Sequence, residues 1–392
     1  MPNNGLCLWR KAKMSRTLIN HVHICTADNT LADQAIWIEK GHIAQITPAV
    51  NAPAEGWEII QANHAWAIPA FIDLHIHGMN GFGLQSADDL LQLSICLARQ
   101  GVGAFCPTLY CAKPSHMQAL LQKLTPALGQ ETGAHIVGFH LEGPFISPHK
   151  PGVMKPEDIA PANLADFDRL YQAAQGKIAL VTFAPEVPGI DPIRDFCQKH
   201  HIVVQAGHTN ATYEQMQEAF TKGITRVTHW GNAMSAFHHR APGVMGAALF
   251  NPHISCEVIA DGVHVHPALL SFLRQVKPVS HISAVTDALV PTGQPNAPFM
   301  ANNEEVVLDG GVWKRKSDGV IAGSALTMLR AYSNLIKYGY SMQQAVMCTS
   351  TSAATLLKLD MGTIAPNQLA NMVLLSPEFA LQHSWIQGKQ VI

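Results

Sequence analysis

Two textures alternate along the chain. In the central part, short apolar and β-branched runs, most of them closed by a polar or charged residue, are separated by polar or amphipathic stretches. Apolar runs of this length, bounded by turn residues, read as buried strands. They fall at Ala67–His77, Gly103–Tyr110, Ile136–Glu142, Ile178–Pro185, Ile202–His208, Arg226–His229, Ser255–Ala260 and Ile282–Asp287. Between them, segments such as Ala87–Gln100 and Tyr213–Lys222 have the pattern of outer helices. Strands alternating with helices predict an α/β fold: a closed (β/α)8 TIM-like barrel, with an open parallel sheet as the alternative. The ends differ, with strand-like pieces at Thr17–Ile24, Ala35–Ile38 and His42–Ile46, and again at Asn371–Leu375 and Ser384–Ile392. They predict a small β-sandwich domain built from both termini, 14–66 with 361–392, flanking a barrel over 67–360. Residues 1–13 carry positive charge with no apolar run behind them. They read as an N-terminal extension ahead of Met14 rather than a secretory signal.

Composition narrows the class. Of 392 residues, 47% are hydrophobic and only 14% charged, against about 25% charged in an ordinary soluble protein. This excludes a disordered chain and suggests a large buried fraction, compatible with a subunit interface. Lys and Arg number 26 against 28 Asp and Glu, so there is no basic excess to coat nucleic acid. No apolar run approaches the roughly 18 residues that a membrane span needs. The eight cysteines form no Cys-x-x-Cys pair; plain thiols in a reducing compartment, the cytoplasm, are expected. Histidine is the outlier at 21.

Position gives those histidines meaning. In a barrel of this kind active sites lie at the C-terminal ends of the strands. The first run ends Asp73-Leu-His75-Ile-His77, where alternate residues share a face. The third ends His140-Leu-Glu142-Gly-Pro, the fifth Gly207-His208, the sixth Thr228-His229 and the eighth Thr286-Asp287. Singly, each reads as a core histidine or a solvated strand-end carboxylate. Together they place four histidines and two carboxylates on one rim, and a single mixed nitrogen–oxygen metal site explains all of them. Imidazole with carboxylate suits Zn²⁺, Fe²⁺, Ni²⁺ or Mn²⁺ rather than Mg²⁺ or Ca²⁺. An unligated carboxylate beside such an ion can work as general acid and base; Asp287 is the candidate. The reaction class is metal-assisted hydrolysis.

At this point the chain resembles the N-acetylglucosamine-6-phosphate deacetylases of the amidohydrolase superfamily. The stretches PAFIDLHIHG (69–78), HLEGPF (140–145), AGHTNAT (206–212), THWGNAM (228–234), HHRAPGVMGA (238–247), IADGVHVHP (259–267), VTDA (285–288) and GSALTM (323–328) carry the likeness in order through most of the chain. The resemblance implies that Glu142, His208 and His229 hold the main metal. It also implies that His75 and His77 are a pair which some members keep for a second ion, and that Asp287 is the general acid/base. Asn232, Ala233 and Arg240 match substrate- and phosphate-binding positions. His264 matches a sugar-phosphate contact that reaches across a homodimer, and backbone groups of Ile321, Ala322 and Gly323 would line the sugar pocket. The implied cofactor is one or two divalent transition metals, zinc first, with iron, cobalt, nickel or manganese as alternatives.

One stretch departs from the pattern. Where the family usually has Lys-Gly-Ala/Thr-His, whose histidine helps polarise the substrate carbonyl, this chain reads Lys150-Pro-Gly152-Val153-Met154. Methionine donates no hydrogen bond. The expected reaction is loss of the acetyl group from N-acetylglucosamine 6-phosphate. Alternatives are the galactosamine epimer, a non-catalytic sugar-phosphate-binding protein, and a cyclic-amide hydrolase or deaminase. Many cyclic-amide hydrolases bridge two metals with a lysine at the end of strand four, where this chain has Thr182-Phe-Ala-Pro185-Glu186 and no lysine.

Overall fold

The computed structural model describes residues 16–51, 55–294, 296 and 298–392; the expected extension at 1–13 lies outside them. Eight parallel strands form the centre: β1 (Phe71–Ile76), β2 (Val102–Leu109), β3 (Phe139–Glu142), β4 (Ile178–Phe183), β5 (Val203–Ala206), β6 (Arg226–Val227), β7 (Ser255–Ile259) and β8 (Ile282–Val285). Each pairs with its sequence neighbour. The open-sheet alternative is excluded at the seam, where β1 meets β8. Ile76 bridges Ala288 in parallel, and the Asp287 and His77 amides donate to the His75 and Ala288 carbonyls. Asp73 reinforces the seam by accepting from the Thr286 hydroxyl at 2.6 Å and amide at 3.1 Å.

The barrel strands are buried on both faces: their outward residues are apolar, and nearly all their polar residues are buried as well. Every residue of Phe71–Ile76 and Val102–Leu109 is buried. The polar residues within them point into the barrel, where Asp73, His75, Thr108, His140, Thr182, Gln205, Arg226, Glu257 and Ser283 form a hydrogen-bonded layer below the rim. His140 is typical: its two ring nitrogens lie 3.1 Å from Thr108 Oγ1 and 2.8 Å from Thr182 Oγ1. Burial, joined by the charge on His75, holds its pKa down at about 3.

The terminal strands join one eight-stranded sheet, ordered Lys389–Gln390, Leu381–Ile386, Met372–Leu375, Trp66–Pro69, Arg16–Cys25, Thr30–Glu39 and His42–Pro48, with Glu58–Gln61 paired to Arg16–Cys25. It has its own core around Ile19, Ile36, Ile38, Met372 and Trp385. The run expected as one strand over Ala67–His77 is two. Trp66–Pro69 pairs with Met372–Leu375, and Phe71–Ile76 enters the barrel. Hydrophobicity does not change between the two, so periodicity does not separate them. A third sheet, Met300–Ala301, Glu304–Asp309, Val312–Arg315 and Ile321–Ser324, is not expected from the sequence, because its strands are short and their burial follows no regular alternation. Among the described residues no helix is long and apolar enough to cross a membrane, and the seven described cysteines are free.

Candidate active site

The strand-end residues converge. Glu142, at the tip of β3, sits at the middle: His208 Nε2 and His229 Nε2 lie 3.0 and 3.1 Å from its Oε1 and 3.3 Å from each other. His75 Nε2 is 3.5 Å from Oε1 and His77 Nε2 3.4 Å from Oε2. Asp287 closes the ring, its Oδ1 3.2 Å from His77 Nε2 and 3.5 Å from His75 Nε2. Two groups therefore share Glu142, namely His75–His77–Glu142 and Glu142–His208–His229, and all five residues are buried. Backbone conformation contributes to this convergence. His208, His229 and Asp287 follow their strands with φ of 47°, 29° and 50°, a left-handed region that non-glycine residues enter at a cost. That turn brings each side chain over the barrel mouth.

The hydrogen bonds behind the rings fix their tautomers. His77 Nδ1 lies 2.9 Å from the Thr108 carbonyl, His208 Nδ1 3.1 Å from the Lys150 carbonyl and His75 Nδ1 2.8 Å from Glu257 Oε1. Carbonyl and carboxylate oxygens only accept, so Nδ1 carries the proton in all three. Nε2 is the nitrogen turned toward the cluster, the arrangement typical of metal-ligating histidine; a bound ion would take its lone pair, whereas without one the surrounding carboxylates favour a proton on His75. His75 Nε2 is fully buried and has no hydrogen-bond partner. An unpartnered buried Nε2, converging imidazoles and a shared carboxylate fit a divalent transition metal.

The charges in the cluster act strongly on one another. Burial alone would raise the Glu142 carboxyl, but the charge on His75 and the closeness of the His208 and His229 rings hold it well below the usual carboxylate range. Burial would lower His75, yet Glu142, Asp287 and Glu257 together raise it well above an ordinary imidazole. Asp287, its side chain 13% exposed, is opposed by burial and held low by the charge on His75 and by His77.

The other expected residues lie outside this cluster. Asn232 and Ala233 follow His229, with the Asn232 side chain donating to the His229 carbonyl and the Ala233 carbonyl accepting from Thr209. Gly323 lies against Asp287: a Cβ there would stand 2.9 Å from the Asp287 carbonyl, and φ is +154°. Ala322 and Val153 line one small cavity with Tyr110, Leu289, Glu304 and Arg315, while Ile321 is exposed. Arg240 is exposed and donates to His239 Nε2 at 2.8 Å. The His264 ring is fixed to Asp261 at 2.6 Å. Met154 packs into an apolar cluster with Cys111 and Ile146, beside Tyr110 and Ile159.

Three residues at the site are not singled out by sequence pattern. Tyr110 stacks face to face on His77, with centroids 3.7 Å apart. Glu257 and Arg226 lie beneath His75. These two do carry a signal: a charged residue inside an otherwise apolar strand is expensive to bury unless a partner compensates it.

The comparisons with known proteins agree with this geometry. The family model of the amidohydrolase family matches residues 66–391. The N-acetylgalactosamine-6-phosphate deacetylase of Escherichia coli O157:H7 is 34% identical over 93% of this chain and 97% of its own length. The N-acetylglucosamine-6-phosphate deacetylase of Bacillus subtilis is 31% identical over 92% and 93%. A variant of the Mycobacterium smegmatis N-acetyl-D-glucosamine-6-phosphate deacetylase, solved with N-acetyl-D-glucosamine-6-phosphate, superposes with a TM-score of 0.89 at 26% identity, over 96% of this chain and all of that one. With barrel, ligand set and match extending through nearly the whole chain, the protein belongs to the amidohydrolase family.

Proposed function

We propose that the protein removes the acetyl group from N-acetyl-D-glucosamine 6-phosphate, giving D-glucosamine 6-phosphate and acetate. The observation that carries this reading is the shared-carboxylate cluster of Glu142 with four imidazoles, adjoined by Asp287, in a chain whose relatives at 29–34% identity are amino-sugar 6-phosphate deacetylases.

Glu142, His208 and His229 hold the principal metal, and His75 and His77 with Glu142 offer a place for another; zinc suits this donor set first, with iron, cobalt, nickel and manganese as alternatives. A divalent ion here supplies a Lewis acid that acidifies water and polarises an amide carbonyl. Asp287 Oδ1 takes the proton from the attacking water and returns it to the departing nitrogen, which leaves as the amine. It is held as the carboxylate, the form that can accept a proton. Gly323 lets the chain at 321–323 approach Asp287, where its backbone groups can hold the sugar. Arg240, with the neighbouring His239, takes the phosphate, a fork of donors suited to a dianion. Asn232, Ala233 and Val153 line the substrate's path, while Met154, a position the resemblance also assigns to the substrate, is packed with Cys111 and Ile146.

The chain works as a homodimer in the cytoplasm. Leu269, Phe272 and Val276 form an exposed apolar stripe on the helix Pro267–Val276, close in sequence to His264; it suits a subunit interface. The described cysteines are all free, as a reducing compartment keeps them.

The 34% identity to the E. coli galactosamine enzyme favours the C4 epimer as a second reading. Acetate release from both sugar phosphates, compared as kcat/KM on protein reloaded with Zn²⁺, tests the proposal. Preference for the glucosamine substrate is expected, preference for the epimer selects the second reading, and turnover of neither refutes both.

A further inference from the structure

We infer that Glu257 is a positioning residue: it locks the His75 ring with Nε2 toward His77 and Glu142, and so sets the affinity of that group for a divalent cation. The inference rests on the reading of the cluster as a metal site.

Glu257 sits midway along β7, in the barrel interior, as fully buried as His75 itself. Its Oε1 is 2.8 Å from His75 Nδ1. The rings of His77 and His208 are held from behind by neutral backbone carbonyls. His75 alone among these three is held by a carboxylate, and a carboxylate partner raises the basicity of the ligating nitrogen as well as fixing the tautomer. The same Oε1 also accepts from the His229 amide at 3.3 Å. That longer bond is to the main chain of His229, whereas the 2.8 Å contact holds the His75 ring itself.

A purely structural ion pair does not account for this arrangement. The guanidinium of Arg226 stands 3.6 Å from Oε2, well short of the bidentate approach that such pairs adopt when they are the main interaction. Arg226 spends its other donors on Gln205 Oε1 and Ser283 Oγ, and Gln205 donates to Oε2 at 3.3 Å. The carboxylate's shortest contact is the imidazole. Buried ion pairs are also often replaceable by apolar residues without loss of stability, so packing does not by itself require a glutamate here. Its placement is explained by what it does to His75.

The test uses the full chain, stripped with a chelator and titrated with Co²⁺, following bound cobalt and its visible absorption. Glu257→Gln keeps the shape but removes the charge that raises the basicity of the ligating nitrogen, and where its NH₂ turns to Nδ1 it moves the ring proton to Nε2 and blocks ligation. Cobalt affinity at the His75–His77–Glu142 group is expected to fall about 10- to 100-fold, with the ion at Glu142–His208–His229 retained. In a His75→Asn background the same substitution should change cobalt binding by less than about twofold, because its effect passes through His75. Unaltered cobalt binding by Glu257→Gln overturns the inference and leaves the metal reading standing. An equal loss in the His75→Asn background also overturns it, making Glu257 merely structural. Wild type that binds no cobalt overturns both. Should Glu257→Gln fail to fold, two-bond ¹H–¹⁵N spectra of the Zn²⁺-loaded wild type decide. His75, assigned by its loss in His75→Asn, must carry its proton on Nδ1; a proton on Nε2 refutes the inference.

Discussion

Replacing Asp287 by asparagine separates proton transfer from everything else this residue touches. The exchange is nearly isosteric, and the backbone should accept it. Asp287 has φ of 50°, a conformation in which asparagine is several-fold enriched. Its amide bond to the His75 carbonyl and its carbonyl bond from the Ser324 amide, 2.8 and 2.9 Å, involve no side-chain atom. What is lost is one negative charge 3.2 Å from His77 Nε2 and 3.5 Å from His75 Nε2, and with it a carboxylate that stands outside both three-residue ligand groups. A positioned acid/base is worth about 10²–10⁴ in rate, or about 3–5 kcal/mol of transition-state stabilisation at 1.36 kcal/mol per tenfold. Losing a neighbouring charge weakens metal affinity by no more than about 10- to 100-fold, which saturating metal overcomes. Acetate release from N-acetylglucosamine 6-phosphate, metal per chain and the thermal midpoint should be measured on the same preparation. The expected variant is folded and loaded, with turnover down by at least about a hundredfold. A loaded variant that keeps more than about a tenth of wild-type turnover would refute the assignment, and one that cannot be loaded would make Asp287 a ligand instead.

Two further outcomes follow from buried side chains. The resemblance suggests that Met154→His would raise turnover, but the methionine packs among Cys111 and Ile146, where an imidazole finds little to bond. Loss of about 1–3 kcal/mol of stability is expected, read by denaturant unfolding; undiminished stability together with faster turnover would mean that the new ring reaches the substrate. His140, with its pKa lowered to about 3 mainly by burial, binds fewer protons folded than unfolded below its ordinary value, so its contribution is present above about pH 6.5 and lost as pH falls toward 3. About 2 kcal/mol should disappear between pH 7 and 5, and His140→Gln should show that much less pH dependence of unfolding free energy; equal pH dependence would contradict it.

Local physics makes much of the protein legible in its sequence. All eight barrel strands are visible as short runs rich in apolar residues, because a strand covered by helices must bury its outward side chains. The donor types at their ends are visible too, because a carboxylate or an imidazole closing such a run is conspicuous. The small sheet over 300–324 is not legible, since its strands are short and bury only scattered positions. Nor is the break at Ala70, across which hydrophobicity is unchanged while hydrogen-bond partners switch sheets.

What the chain order does not decide is which donors meet. Glu142 touches His229 across 87 residues, and Glu257 holds His75 across 182. Only the closure of β1 onto β8 brings Asp287 to the histidine pair. The tautomers of His75, His77 and His208 are equally beyond reach of the sequence, since each depends on an acceptor contributed by another segment. So is the direction of Met154, which turns into an apolar cluster rather than being set by its neighbours in sequence. Residue types and strand ends are properties of short segments, fixed by hydrophobicity and spacing. Convergence, protonation and orientation are properties of contacts between distant segments, and those exist only once the barrel has closed.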